Sequence, residues 1–419
     1  MLLAFYRDNA RWLIGGFLLT LFSAFGQTFF ISIFGAEIRE SFALSHGQFG
    51  TVYMVATLAS ALSLPFVGRV VDHASVALCA TASILILAVA AGSMALIQSV
   101  PLLVVSIYLL RLFGQGMMGH IALTAMGRWY SLNRGKAVSF SSIGHQASEA
   151  MAPILFVTIA LAVGWRNAWL VAAAILVLVA LPAIVLLMRV ERVARSDAAT
   201  VARDNEVGRQ WRRSEVMGDP LFWLMCCGIL SPAFIGTSLW FHQDYLIELN
   251  NWPPTAYYAS FALMAGTTFC VSLLTGFAID RWSAIQLLPF FMAPLGGACL
   301  VLGSYGGVPA IYLTMLLMGF SYGISSALFG ALLPEIYGTR HLGSVRSIVL
   351  AFMVFFSAAG PGVTGLLIDA GISFPTQLLF IAGYCFTVLV IMVMVSRRLH
   401  ARRLRETSAS GVELSTSLA

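Results

Sequence analysis

Arg111, Gln115, His145 and Glu149 are the residues of this sequence best placed to do chemistry, because each interrupts a long apolar run. Arginine keeps its charge at any physiological pH, and its planar fork suits a carboxylate. Glutamate and histidine can each hold and release a proton. Arg111 stands about ten residues into its run, which at about 1.5 Å per helical residue is near mid-depth. Glu149 reaches a similar depth in the next run. His145 precedes Glu149 by one helical turn, and Gln115 follows Arg111 by one, so a helix would show each pair on one face. His120 is turned to the opposite face from Arg111. If the two runs are consecutive antiparallel helices, Arg111 and Glu149 come within reach of each other. Two readings follow. One is a binding and proton-transfer site built from Arg111, His145 and Glu149. The other is a buried structural ion pair with a helper histidine.

The elements that must position these groups are apolar to an extent no soluble domain shows. Of 419 residues, 59% are hydrophobic and only 10% are charged, where soluble domains carry about a quarter charged. The net charge of +6 sits in short clusters between apolar stretches, which argues against a nucleic-acid surface. The six cysteines, Cys79, Cys226, Cys227, Cys270, Cys299 and Cys385, fall inside apolar segments without a C-x-x-C pattern. They read as small packing residues, not as a disulfide or metal framework.

A membrane-crossing helix needs about 20 apolar residues. The sequence supplies such runs at 12–34, 47–70, 76–98, 102–127, 137–160, 168–189, 220–245, 255–278, 284–304, 309–333, 344–368 and 374–396. Transmembrane barrel strands are near ten residues and alternate in polarity, so length alone excludes them. The expected fold is an all-α membrane protein of twelve transmembrane helices. The first run is too long for a cleaved leader and reads as span one. Basic residues set the orientation. With the N-terminus inside, Arg7, Arg11, Arg69, Arg128, Arg134, Lys136, Arg281, Arg340, Arg346 and the clusters at 189–213 and 397–405 are cytoplasmic, leaving Arg39 and Arg166 outside. An even span count keeps both termini in the cytoplasm.

One long polar insert divides the spans six and six. The expected organisation is an N-terminal half at 1–190, a cytoplasmic linker at 191–219, a C-terminal half at 220–396 and a cytoplasmic tail at 397–419. Three landmarks recur at one common offset: Gly68 and Asp72 as Gly276 and Asp280, Gly135 as Gly343, and Pro153 as Pro361. Each falls in the equivalent place, so the halves read as pseudo-symmetric repeats. Paired six-helix halves are a transporter architecture, with the solute near mid-membrane.

These features resemble the major facilitator superfamily over nearly the whole chain. The family's loop after span two has the form G-x-x-x-D-R-x-G-R-R. Gly68 and Asp72 match it, while His73 and Ala74 depart; the second copy keeps Gly276, Asp280 and Arg281. In span four, Arg111, Gly114, Gln115, Gly116 and Gly119 resemble the family's arginine and glycine-rich stretch. The segment from Trp129 and Tyr130 through Arg134, Gly135, Lys136 and Ala137 to Gly144 is similar to the monocarboxylate-transporter branch, which includes oxalate–formate exchangers. That branch often places cations in spans eight or eleven. Here span eight has no Lys or Arg, and Arg346 sits at the inner lip of span eleven. The resemblance implies alternating access, with an inner latch at Gly68, Asp72, Gly276, Asp280 and Arg281. A capped turn is the plainer reading of those residues.

On this reading the chain is a secondary carrier of a small organic solute, an organic anion such as a carboxylate, with Glu149 or His145 carrying a coupling proton. Arg111, Gln115, Gln27, Tyr53, Thr57, His145 and Tyr322 are the candidate solute contacts. The aromatic outer end of span seven, Trp240 to Tyr245, reads either as an interfacial belt or as an outer gate. Gly319 and Gly323 form a small-xxx-small contact face. No phosphate loop, nucleophile elbow or metal motif is present in the sequence, so the expectation is no enzyme, no cofactor and no bound metal. The expected partners are the solute, protons and the bilayer of the inner membrane around a monomer. The alternatives are an exporter of amphipathic compounds, although Gly144 to Ser148 replaces the exporter pattern of span five, and a membrane sensor, although no soluble output domain is evident.

Overall fold

The structure, a computed structural model, describes residues 2–130, 134–192, 210–338 and 341–416. The described residues contain helices and no strand. Eleven helices are long and apolar enough to cross a membrane, and a bent pair brings the number to twelve. Spans two to six run His46–His73, Val76–Leu96, Val100–Trp129, Gly135–Val163 and Trp165–Met188. Spans seven to twelve run Pro220–Phe241, Pro254–Ile279, Ala284–Ser304, Val308–Tyr337, Val345–Asp369 and Phe374–Arg403. Local signals start several of them. Ser45 and Gln48 close a reciprocal capping box before span two, and Ser75 caps span three. Prolines open spans four, seven and ten, where a missing N–H costs nothing.

Two elements differ from the sequence expectation. Span one is not a straight helix over 12–34; it is a pair, Ala10–Gly26 and Thr28–Phe42, bent by 46°. Gln27 sits at the break with extended backbone, φ −83° and ψ 154°. The tail expected at 397–419 is not separate from span twelve, because one helix runs from Phe374 to Thr416. Of the expected linker, residues 193–209 lie outside the described residues; beyond them is a short helix, Arg213–Met217.

The chain forms two compact units. The first takes Met1–Thr200 with Thr237–Ala262 and Ala358–Gly371; the second takes Val201–Gly236, Leu263–Ser357 and Ile372–Ala419. Within the first, span one packs on both span four and span five. Its approach to span four depends on glycine. A Cβ on Gly26 would run into the Leu110 carbonyl oxygen and lie 2.7 Å from Cα of Gly114. Within the second, spans nine and twelve form the main contact. The expected glycine face of span ten meets span eight, where a Cβ on Gly319 would be 2.7 Å from Cβ of Thr267 and one on Gly323 2.7 Å from Cβ of Val271.

Candidate functional site

Arg111 is the side chain the first unit encloses most unusually: it is only 2% exposed. Span four widens into a π turn over Leu110–Met118, a form frequent at functional sites. At that depth the break in span one turns the Gly26 carbonyl away from its own helix. Nη1 of Arg111 donates to this carbonyl oxygen at 3.1 Å and to Thr28 Oγ1 at 3.3 Å. The guanidinium carbon lies 5.3 Å from the centre of the Tyr53 ring, and the Tyr53 hydroxyl is 2.6 Å from Thr28 Oγ1. A charge in hydrocarbon costs at least about 2.5–3.5 kcal/mol. A carbonyl, a hydroxyl and an aromatic face offset part of that cost. Nε has no hydrogen-bond partner.

The neighbouring candidates divide. Tyr53 packs beside Arg111, Thr57 is buried one turn further along span two, and Thr57 Oγ1 has no partner among the described residues. Gln27 is buried at the break, with Nε2 donating to Ser23 Oγ at 3.4 Å. Gln115 does not share the environment of Arg111: it is exposed. The π turn shifts the register between them, so a four-residue spacing no longer stacks the two side chains as an α-helix would. Tyr322 belongs to the second unit, where its hydroxyl donates to the Pro232 carbonyl oxygen at 2.9 Å.

Arg111 and Glu149 are both buried, yet no ion pair joins them among the described residues. Span one lies against both of the helices that carry them. Its broken middle contacts spans four and five at once, and Phe29 just beyond the break faces His145, ring centres 6.1 Å apart. Glu149, one turn beyond His145, has no hydrogen-bond or ion-pair partner among the described residues. Among the described residues the structure therefore leaves one buried cation and one buried carboxyl group unpaired with each other.

The end of span seven is no lipid-facing belt, because its residues are enclosed in the first unit. Phe241 packs on Phe49 and Tyr53, ring centres 4.8 and 4.7 Å apart. His242 Nε2 donates to the Pro361 carbonyl oxygen at 3.0 Å, and Gln243 Nε2 donates to Ser32 Oγ at 3.0 Å. Arg39 pairs with Asp244 at 2.7 Å, with side chains 16% and 9% exposed. Asp369 accepts from Ser45 Oγ at 2.5 Å and from the Gly47 N–H at 3.0 Å. Together these residues tie spans one, two, seven and eleven at one end. Sequence reasoning placed Arg39 outside and Asp244 in the aromatic cluster, but did not join them. The only sequence signal was that both lie at span ends predicted to face the same side.

At the opposite end, Asp72 pairs with Arg128 at 3.4 Å, and Arg128 also donates to the Val71 carbonyl oxygen at 2.8 Å. Gly68 is closely approached by the His120 ring. Gly276 is not its equal: a Cβ there would meet nothing within 4 Å, so no close approach requires that glycine. The side chain of Asp280 lies outside the described residues, and Arg281 rests over the Trp282 ring at 5.6 Å. All six cysteines are free, with Cys227 and Cys270 exposed and the other four buried. Among the described residues no cluster could hold a metal ion.

A sequence family described as the Major Facilitator Superfamily matches residues 16–345. No curated protein matches the sequence significantly. Among solved structures, a bacterial homolog of the human lysosomal transporter Spinster, in an inward-facing and occupied conformation, superposes with a TM-score of 0.71 at 16% identity, covering 96% of this chain and 98% of its own. The nucleoside transporter NupG, in a mutant form, reaches 0.69 at 13% identity, covering 92% of this chain and 99% of its own. At such identities the likeness is one of fold.

Proposed function

The chain belongs to the Major Facilitator Superfamily and is a membrane transporter, and we propose that it carries a small organic anion, a carboxylate, by alternating access. The observation that supports this reading is Arg111. Among the described residues it is a buried cation whose partners are a carbonyl, a hydroxyl and a ring, with no carboxylate. A fixed charge without a counter-charge is costly at mid-membrane and functional by default. An anionic solute would supply the missing charge, using Nε and the Thr57 hydroxyl, which the protein leaves unpartnered. Gln27 and Tyr53 would shape the site from span one and span two, with Gln115 as an outlying contact.

Glu149 is the coupling group in this reading. A carboxyl group enclosed without a partner can cross as the neutral acid and release its proton when the site opens to water. His145, one turn away, would relay the proton. Symport with protons follows if anion and proton load from the same side. The Arg39–Asp244 and Asp369–Ser45 contacts would close the outer end, and the loops at Gly68, Asp72, Gly276, Asp280 and Arg281 would latch the inner end. The placement is the inner membrane, both termini in the cytoplasm, with two six-helix halves joined at 191–219. The segment Trp129 to Gly144 resembles the monocarboxylate and oxalate–formate branch, which supports the carboxylate reading.

The test is uptake into proteoliposomes of a panel of monocarboxylates, dicarboxylates, nucleosides and amphipathic cations, each with and without an inward proton gradient. Saturable uptake of one organic acid, raised by the gradient, is the expected result. Uptake of neutral or cationic solutes alone would overturn the proposal.

A further inference from the structure

The second compact unit carries an open pocket of about 520 Å³, lined only by residues of that unit. Its size lies in the range of small-molecule sites. Its wall is mainly apolar: Ile229 from span seven, Phe329 and Leu333 from span ten, Val349 and Leu350 from span eleven. One charged side chain lines it, Arg346. Nη2 of Arg346 donates to the Gly330 carbonyl oxygen at 3.1 Å, across from span eleven to span ten. No carboxylate among the described residues pairs with it. Glu335, the acid at the same end of span ten, is already engaged: Oε2 accepts from the Ala284 N–H at 2.9 Å, and Oε1 is held by Arg403. Ser326 and Ser347 add hydroxyls to the wall.

We propose that this cavity binds an amphiphilic anion, its apolar body against Phe329, Leu333 and Leu350 and its carboxylate or phosphate head on Arg346. A guanidinium presents a fork to either head group. A small hydrophilic anion would leave the apolar wall uncovered, and a neutral apolar molecule would make no use of Arg346, which is exposed at the pocket's edge. Only a molecule with both parts satisfies both features. The pocket's lining residues all belong to the second unit, and none of them takes part in the Arg111 reading.

Equilibrium binding decides it, using the full-length protein in phosphatidylcholine nanodiscs with laurate, dodecyl phosphate and dodecanol as probes. Laurate or dodecyl phosphate should bind more tightly than dodecanol. The tighter of the two distinguishes a free fatty acid from a phosphate-headed lipid, and either order supports the site. Arg346→Gln should weaken the anions about tenfold or more, the worth of a charged hydrogen bond, and leave dodecanol unchanged. Ser347→Asp, which keeps the arginine and adds a negative charge to the wall, should also weaken them. Phe329→Ala should weaken all three probes. Arg111→Gln should leave laurate binding intact. Equal binding of dodecanol and laurate, or laurate binding that survives Arg346→Gln and falls with Arg111→Gln, would overturn the proposal.

Discussion

Removing the carboxylate of Asp244 should open the end of the first unit that Arg39 helps to close. The pair is short, 2.7 Å, and largely enclosed, with side chains 16% and 9% exposed. Breaking a buried pair by removing one partner costs about 3–5 kcal/mol. The residual exposure of Arg39 lets water reach it, and Asn at 244 can still accept one hydrogen bond. A cost of about 2–3 kcal/mol is therefore appropriate for Asp244→Asn. If that cost falls only on the state in which this end is closed, the open population rises about 30- to 150-fold. Thr57 is a suitable reporter, because it is 1% exposed and its hydroxyl has no partner to lose. With Thr57→Cys in a background lacking the six native cysteines, the labelling rate by an impermeant thiol reagent applied outside should rise by that factor. The double variant Arg39→Gln, Asp244→Asn should label more slowly than Asp244→Asn, since no stranded charge remains. An unchanged labelling rate in folded Asp244→Asn would refute the reasoning.

Gly26→Ala should prevent proper assembly of spans one and four, because its Cβ would run into a backbone oxygen of span four; the check is the yield of monodisperse protein, which should fall at least severalfold. Glu149→Gln should abolish accumulation driven by a pH gradient while leaving solute exchange, read from paired uptake and counterflow in proteoliposomes. Asp72→Asn should slow turnover with little loss of stability, because Asp72 is 65% exposed and an exposed pair contributes about 0–1 kcal/mol; transport rate and thermal melting measured together separate the two effects.

The apolar runs were legible because lipid demands about the same length and composition of every span. Eleven of the helices accordingly lie close to the predicted stretches. Arg111, Glu149 and His145 were legible as anomalies, since charge is rare at such depth. Their mutual arrangement was not. Counting residues gives depth along a helix but not the direction in which each side chain points once a third helix packs against both, as span one does here. The break at Gln27 carries no proline, so nothing local announced it. It forms where Gly26 and Gly114 let two backbones touch, a tertiary cause. The Arg39–Asp244 and Asp369–Ser45 contacts join residues far apart in the chain, which composition and periodicity do not connect. Gly276 matched Gly68 by position, yet only Gly68 is crowded, so a shared offset in the sequence did not carry the same packing need.

If Arg111 is the counter-charge for an anionic solute, transport by Arg111 variants shows it most directly. Uptake of the preferred organic acid would be measured in proteoliposomes for the native protein, Arg111→Lys and Arg111→Gln, each reconstituted from monodisperse protein. Saturable uptake is expected of the native protein. Arg111→Lys should run at a reduced rate, because the charge survives without the planar fork, and Arg111→Gln should show no specific uptake. Uptake by Arg111→Gln at the native rate and apparent affinity would contradict the assignment of Arg111 to the solute.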